Sequence, residues 1–210
     1  MSPRIARIED AGPDRKARRL TFEDGIEPRI TSASVVKELG LEEGLSIDAD
    51  VLEASLAEVE LLLAKERALR LLGYRERSRA ELVRKLCDSG YPEAIASQVA
   101  ERFAEIELLD DERFAAVWVR TRNAAGFGAR RIARELAEKG LAPETAAAAL
   151  EAISGGEDQV ARARQTLRGR IVTDNKERDK LIRRLVAKGF SLSVAVQAVD
   201  SCRSGDDDTL

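Results

Sequence analysis

The chain has 210 residues, a formal net charge of −3 and no histidine. The missing histidine removes the commonest general base and metal ligand, together with every Ser–His or Cys–His nucleophile pair. No apolar run reaches the roughly 18 residues of a membrane span, and the first residues, MSPRIARIED, lack the apolar stretch of a secretory signal. We therefore expect a cytoplasmic protein with no membrane contact, and mainly helical because helix-forming residues dominate.

Residues 1–47 predict a small β-sheet followed by one helix. Residues 16–22 alternate, with Leu20 and Phe22 on one side, which is typical of a strand. The other two strands are predicted at residues 4–8 and 26–30, and Pro28 confines the last one to an edge. We expect so small a sheet to dock on the helical part of the chain.

The helix of this segment begins after a capping hydroxyl and ends at a glycine. Thr31 or Ser32 can accept the first free amide hydrogen, and Gly40 closes the helix after Leu39. The next stretch, residues 48–72, is helical in pattern and acidic in its first half. It predicts either one long helix or two helices with a bend near Glu58.

One segment then occurs three times, with its final glycines 50 and 49 residues apart. The three copies read SRAELVRKLCDSG at residues 78–90, GARRIARELAEKG at 128–140 and ERDKLIRRLVAKG at 177–189. Apolar residues four positions apart place one face of a helix in the core. The aligned pairs are Leu82 and Leu86, Ile132 and Leu136, and Leu181 and Leu185. Between them stands an arginine in each copy: Arg84, Arg134 and Arg183.

Each copy is predicted to lie between two further helices. The helix before it is expected at residues 62–72, 111–124 and 157–168. The helix after it has three apolar columns, which are Ile95, Thr145 and Val194; Ala100, Leu150 and Val199; and Phe103, Ile153 and Cys202. A repeat of about 50 residues is marginal alone and gains stability from its neighbours. The sequence therefore predicts a mainly α protein, with three tandem three-helix repeats in an elongated row and a small β-containing N-terminal extension.

The predicted boundaries are a sheet-and-helix unit at residues 1–47, repeats at 48–107, 108–155 and 156–203, and a disordered acidic tail at 204–210. Charge is uneven along this chain. Residues 42–66 hold eight acidic side chains and one lysine, whereas residues 162–188 hold ten basic and three acidic ones. Such asymmetry indicates a basic surface for an anionic partner, although arginine-rich helices can also be merely soluble.

Several residues that could carry chemistry have a structural interpretation instead. Cys87 and Cys202 fall in apolar columns and are interpreted as packing residues. The acidic run at residues 110–112 suits the start of a helix better than a metal site. The segment at 126–128, Gly-Phe-Gly, is interpreted as a helix–helix turn and not as a phosphate loop. We predict no metal and no cofactor.

The aromatic residues of the helix at 111–124 are interpreted in the same way. Phe114, Val117 and Trp118 recur at helical spacing and are expected in the core, although Trp118 could instead stack on a base. Three-helix units with basic middle helices also raise the possibility of helix-turn-helix DNA binding. Few Asn, Gln, Ser or Thr residues stand between the arginines, so contact with a nucleic-acid backbone or an acidic protein surface is favoured over base reading.

Three motifs resemble the RecX family, bacterial regulators of the RecA recombinase. They are ALRLLGYRERSRAELVRKL at residues 68–86, LLDDERFAAVWVRTR at 108–122 and GFGARRIARELAEKG at 126–140. The resemblance covers roughly residues 50–200. It implies binding and not catalysis, in the context of DNA repair and recombination. By this resemblance, the chain is expected to act like the members of the RecX family, which lie in the groove of the RecA–DNA filament and limit filament growth, strand exchange and ATP hydrolysis.

The resemblance also implies a set of contact residues and a monomer with at most weak affinity for single- or double-stranded DNA. The third repeat departs from the pattern, since RGRIVTDNKERDK at residues 168–180 lacks the glycine–arginine turn of the second. An alternative function is a stand-alone tandem helix-turn-helix DNA-binding module. The predicted contacts with RecA or DNA are Arg75, Arg77, Arg79 and Arg84 in the first repeat, Arg120, Arg122, Arg130, Arg131 and Arg134 in the second, and Lys180, Arg183, Arg184 and Lys188 in the third.

Overall fold

A computed structural model describes residues 2–12, 14–23, 25–154, 159–167, 170, 172 and 174–202, with backbone alone at 153 and 154. The chain forms two compact units, Met1–Asp110 and Asp111–Leu210. The first holds the sheet and the first repeat, and the second holds the other two repeats. The predicted disordered tail at 204–210 lies outside the described residues.

The first unit opens with a three-stranded antiparallel sheet whose strands lie side by side in chain order. Leu20 and Phe22 are buried, which confirms the alternation in the middle strand. The third strand begins at Arg29, three residues later than predicted, because Pro28 has no amide hydrogen to donate to the ladder. The strands are β1 (Ile5–Asp10), β2 (Ala17–Phe22) and β3 (Arg29–Ser32).

Ser32 caps the first helix, as one of the two predicted candidates, and its hydroxyl accepts the Ser34 amide hydrogen. The following segment is one 26-residue helix, which decides between the two alternatives for residues 48–72. Asp48 caps it, and one continuous buried stripe runs along it from Leu52 through Glu60 to Leu71. The four helices of this unit are α1 (Ala33–Glu38), α2 (Ala49–Tyr74), α3 (Arg79–Cys87) and α4 (Glu93–Glu105).

Sheet and helices of the first unit share one core, so the predicted docking of the sheet is confirmed. Leu20 from β2 and Leu86 from α3 belong to the same buried cluster. Gly90, with φ +91°, lies directly against the sheet. A Cβ there would come within 2.7 Å of the Ala17 Cβ and of the Thr31 carbonyl oxygen. Glycine is therefore required at this position both by the left-handed backbone conformation and by the close contact with the sheet.

The second unit contains six helices in its described part, three for each repeat. In the middle helix of each repeat, the aligned leucine and isoleucine residues are buried, as the repeat predicted. The predicted helix at 157–168 is observed at Gln159–Leu167, and its residues 157, 158 and 168 lie outside the described part. The helices are α5 (Asp111–Ala124), α6 (Ala129–Glu138), α7 (Pro143–Ser154), α8 (Gln159–Leu167), α9 (Asn175–Ala187) and α10 (Leu192–Asp200).

One detail of the predicted core is incomplete and another is wrong. Ile95, Thr145 and Val194 are half-buried, with Ile95 and Val194 packed against the cores, but the innermost column is the next one, formed by Ala96, Ala146 and Ala195. Alanine lets the helices approach closely, but it gives little hydropathic contrast in a sequence. Val117 is 45% exposed, although Phe114, one turn before it, is buried. The side chain of Ile153, in another predicted column, lies outside the described part.

Both cysteines are free, half-buried and packed against the cores, in agreement with their interpretation. Within the described ranges, no group of three or more Asp, Glu or Cys side chains could hold a metal ion. The helices described by the structure include none that is both long and apolar enough to cross a membrane.

Candidate functional site

An exposed arginine stands at the same position in each of the three repeats. Arg84 on α3, Arg134 on α6 and Arg183 on α9 all point away from the buried leucines of their helices. The Arg134 side chain is 69% exposed, and its ion pair with Glu138 is long, at 3.7 Å. Such a pair in water stabilises little, so the guanidinium remains available to a partner.

Further predicted cations are exposed on the same three helices. On α9, Lys180 and Arg184 are one helical turn apart and both exposed, so they extend the basic stripe beside Arg183. Arg130 is exposed at the start of α6, and Arg79 is exposed at the start of α3. The observed helices therefore bring most of the predicted third-repeat contacts onto one surface of α9.

Arg77, by contrast, is buried, so its position does not support its prediction as a contact residue. Its side chain is only 9% exposed, and its Nη1 lies 2.5 Å from Oε1 of Glu81. Its Nε donates to the carbonyl of Leu71 at 3.3 Å. Arg75 shares Glu81, donating to Oε2 at 3.2 Å, so both arginines hold the end of α2 against the start of α3. Removing Glu81 from this group would leave a buried charge unpaired.

In the second repeat, Glu135 collects three donors from neighbouring elements. Nε of Arg122 lies 2.6 Å from Oε2, and Nε of Arg131 lies 3.1 Å from Oε1. The Trp118 indole N–H donates to Oε2 at 3.2 Å. Burial opposes ionisation of Glu135, but the hydrogen bonds from the two arginines outweigh it and hold its pKa below the ordinary value.

Aromatic rings pack against the basic side chains around Glu135. The Arg122 guanidinium lies 4.9 Å from the ring centre of Trp118 and 5.1 Å from that of Phe127. Arg131 lies 4.3 Å from the Phe127 ring, and Lys139 lies 4.3 Å from Trp118. These cation–π contacts fix Arg122 and Arg131 against their own repeat. We therefore interpret them as residues that shape the α5–α6 turn, and Trp118 as a packing residue.

The turn of the second repeat is joined to the third repeat through backbone hydrogen bonds. The Gly128 amide donates to the Lys188 carbonyl at 2.9 Å, and the Arg130 amide donates to the Gly189 carbonyl at 3.1 Å. A Cβ on Gly128 would lie 2.3 Å from the Phe190 nitrogen, so only glycine fits. The carbonyl end of α9 thus satisfies amides at the start of α6, where the dipoles of the two helices are complementary.

This junction explains why the middle helices of the three repeats have different N-terminal caps. Ser78 accepts the Glu81 amide hydrogen at 3.1 Å, and Asp174 accepts that of Glu177 at 2.7 Å. These are ordinary side-chain caps. Gly128 at the equivalent place has no side-chain cap, because the third repeat supplies the acceptors. The third repeat lacks the glycine–arginine turn since it has its own cap.

A basic cavity of about 650 Å³ lies beside this junction. The described residues lining it include four cationic side chains and no carboxylate. Arg162 is held in place, since its Nη2 donates to the Phe127 carbonyl at 3.2 Å and also to Oδ1 of Asn123. The four cations are Arg120, Arg162, Arg184 and Lys188.

Sequence reasoning found three of these four cations and missed Arg162. The missed residue opens the basic run at 162–188, which is the signal that could have indicated it. A run of charges does not say which of its members faces a cavity. That information comes from the rotation of α8, which turns Ala163 into the core and leaves Arg162 beside the α5–α6 turn.

Comparison with known families matches two parts of the chain. Residues 64–103 match the family described as "RecX, first three-helix domain", and residues 110–150 match "RecX, second three-helix domain". The chain is 39% identical over 148 residues to the regulatory protein RecX of Mycolicibacterium vanbaalenii, covering 65% of this chain and 80% of that protein. It is 38% identical over 143 residues to the regulatory protein RecX of Mycobacterium ulcerans, covering 65% and 82%.

Solved structures of the same kind share the fold. A crystal structure of a regulatory protein RecX matches with a TM-score of 0.61 at 24% identity, covering 94% of this chain and 99% of the other. The crystal structure of RecX from Lactobacillus salivarius matches with a TM-score of 0.62 at 24% identity, covering 69% and 97%. These likenesses support the mainly helical architecture with its small sheet.

Proposed function

The chain belongs to the RecX family of regulatory proteins, and we propose that it binds the RecA–DNA filament and inhibits RecA by occlusion. The inhibited activities are ATP hydrolysis, strand exchange and filament growth. The protein acts as a cytoplasmic monomer without cofactor, and its contact with DNA is secondary. This proposal rests on the family resemblance together with the arrangement of the exposed cations.

The observation that carries the proposal is the exposed arginine column, Arg84, Arg134 and Arg183. Each of these arginines occupies the same position of an equivalent helix, so the three repeats present the same charge in the same local setting. A filament offers one binding element many times along its length. A protein with a repeated contact can use several of these elements at once, and the linked contacts bind more tightly than one alone.

Stand-alone DNA binding is the weaker alternative. The chain carries 35 basic and 38 acidic residues, so its overall field does not attract naked DNA. Few Asn, Gln, Ser or Thr residues stand beside the arginines of the column, so these helices offer few side chains to read bases other than guanine. Affinity that falls steeply with salt on bare DNA is the distinguishing result for this alternative.

The test is the single-stranded-DNA-dependent ATPase of the cognate RecA with this protein titrated in. We expect inhibition well below one protein per RecA, because one bound molecule on a filament affects many subunits. The variant Arg84→Glu/Arg134→Glu/Arg183→Glu should need at least about ten times more protein for the same inhibition, since it reverses three charges at the interface.

The matched control is Arg7→Glu/Arg70→Glu/Arg102→Glu, which changes the net charge equally. These three arginines are exposed and lie in weak surface ion pairs outside the predicted contact set. The control variant should inhibit as the natural protein does. Equal loss in both variants would show that overall charge and not the column matters. Full inhibition by the column variant would show that these three arginines do not contact the RecA–DNA filament.

A further inference from the structure

We propose that the basic cavity of the second unit binds the phosphate chain of a small polyphosphate, such as a nucleoside triphosphate or inorganic tripolyphosphate. This inference goes beyond the proposed function and does not depend on it. Its basis is the convergence of cationic groups from separate helices. Arg120 comes from α5, Arg162 from α8, Arg184 from α9, and Lys188 from the end of α9.

The chemistry of the lining favours an oxyanion. Arginine and lysine are the residues that bind phosphate oxygens, with arginine adding a planar fork of N–H donors. Asn123, Gln165 and Thr166 add neutral polar groups to the described lining, which contains no carboxylate that would repel an anion or hold a metal. Four cations that line one cavity repel one another, and an anion between them reduces that repulsion.

The size of the cavity favours a small ligand over a polymer backbone. Its volume of about 650 Å³ falls within the range typical of small-molecule sites. A nucleic-acid backbone carries one charge per phosphate and is usually bound along an open groove. A tripolyphosphate concentrates several negative charges in a few ångströms, and so it matches four cations that line one cavity.

The walls of the cavity are held in place before any ligand arrives. Arg162 is fixed by the Phe127 carbonyl and by Asn123, and Lys188 lies 5.8 Å from the Phe127 ring centre. The Gly128–Lys188 hydrogen bond sets the distance between the second-repeat and third-repeat sides. Preorganised walls reduce the entropy lost on binding. Because a bound anion contacts both repeats, it should also stabilise the second unit against unfolding.

The test uses tripolyphosphate and ATP, each without added metal, on the full chain. Binding is measured by calorimetry at constant ionic strength, and unfolding is followed by the fluorescence of Trp118, which is the single tryptophan. We expect saturable binding of tripolyphosphate and a higher unfolding temperature, with sulfate at equal ionic strength giving less of both. Tighter binding of ATP than of tripolyphosphate would identify a nucleotide as the source of the phosphate, and equal binding would identify the phosphate chain alone.

The decisive comparison is between two double variants with the same change in charge. Arg120→Gln/Arg184→Gln removes two exposed cations from the cavity and should weaken tripolyphosphate binding by about tenfold or more. Arg130→Gln/Arg183→Gln removes two exposed cations that do not line it and should bind within about twofold of the natural chain. Equal weakening in both variants, or no saturable binding of tripolyphosphate by the natural chain, overturns the proposal.

Discussion

At the level of single residues, the fully buried Glu60 and the partly buried Glu135 have pKa values shifted in opposite directions. Glu60 on α2 is fully buried, and desolvation raises its pKa although it bonds the Thr31 hydroxyl at 2.6 Å and pairs with Arg29 at 3.3 Å. Nε of the same arginine is buried without a hydrogen bond in the described structure, so the pair is incompletely satisfied. Glu135 has three well-placed donors, and its pKa is lowered. Burial dominates at one site and hydrogen bonding at the other.

For Glu135 we expect the variant Glu135→Gln to lose on the order of 2 kcal/mol of stability at neutral pH. The folded carboxylate has the lower pKa, so its contribution is present above the ordinary value of 4.5 and is lost as the pH falls below it. The difference in stability between Glu135→Gln and the natural chain should therefore become smaller as the pH is lowered. Urea unfolding monitored by circular dichroism at several pH values measures it. Glu138→Gln, three residues after Glu135 and 67% exposed, is the control that should change little.

For Glu60 the pH dependence of stability has the opposite direction to that of Glu135. Its folded pKa is raised, so the stability that it contributes is fully present below the ordinary pKa of 4.5 and is lost as the pH rises through the folded value. Glu60→Gln stays neutral, and it should gain stability relative to the natural chain between pH 4.5 and 7. Glu53→Gln, at a 60% exposed carboxylate that also pairs with Arg29, should lack this trend. Parallel stability curves for Glu60→Gln and the natural chain would contradict the assignment.

The burial of Glu60 illustrates what sequence reasoning could and could not give for single residues. Its spacing of four from Leu56 and from Ala64 places it on the buried face, but an acidic residue in an acidic helix is expected in water. Arg77 raised the same difficulty, since its burial depends on its pairing with Glu81. Buried charges are decided by a partner elsewhere in the fold, and a single sequence does not reveal that partner.

At the level of elements, the repeat explains most of the architecture and the close contacts explain the exceptions. Equal spacing and aligned leucines predicted the helices of all three repeats. The start of β3 was predicted too early, because strand pairing begins only at the first residue after Pro28. The innermost alanine column was missed because alanine contributes little to periodicity. Gly128 could be recognised as a turn, but its backbone contact with α9 required the structure.

We expect Gly128→Ala to destabilise the second unit by about 2 kcal/mol. The backbone of Gly128 has φ −85° and ψ 160°, which alanine adopts without strain, so the cost is the clash of its methyl group with Gly189 and Phe190. Unfolding followed by Trp118 fluorescence measures the effect. Gly73→Ala is the matched control. A Cβ at Gly73 meets open space near the end of α2, and the change should be neutral or stabilising by up to about 1 kcal/mol.

The whole molecule consists of two units with cores of their own. The buried cluster of the first unit runs from Ile5 to Leu109, and the clusters of the second lie between Phe114 and Val199. The nearly equal repeat spacing gave no reason to group the second and third repeats together. Their grouping follows from the α6–α9 junction, which involves a few backbone atoms and has no counterpart in hydropathy.

We expect residues 1–110 and residues 111–210 to fold as separate fragments, each with a cooperative urea transition by circular dichroism. A shorter fragment, residues 111–154, contains the second repeat alone and should be largely unfolded at the same temperature. It has about 44 residues, a size that rarely supports a core, and its α6 amides have lost their carbonyl partners. A cooperative transition in that fragment would show that the junction is dispensable for folding.

The hydrogen bond from the Gly128 amide to the Lys188 carbonyl also orders events during synthesis on the ribosome. Residues 1–110 contain every partner that their core requires, so this unit can fold while the remainder is still being translated. The start of α6 emerges early, but its acceptor follows 60 residues later along the chain. At a translation rate of roughly 5–20 residues per second, the second repeat waits several seconds for its partner. A nascent chain truncated before residue 189 is therefore left with a completed first unit and an open second one.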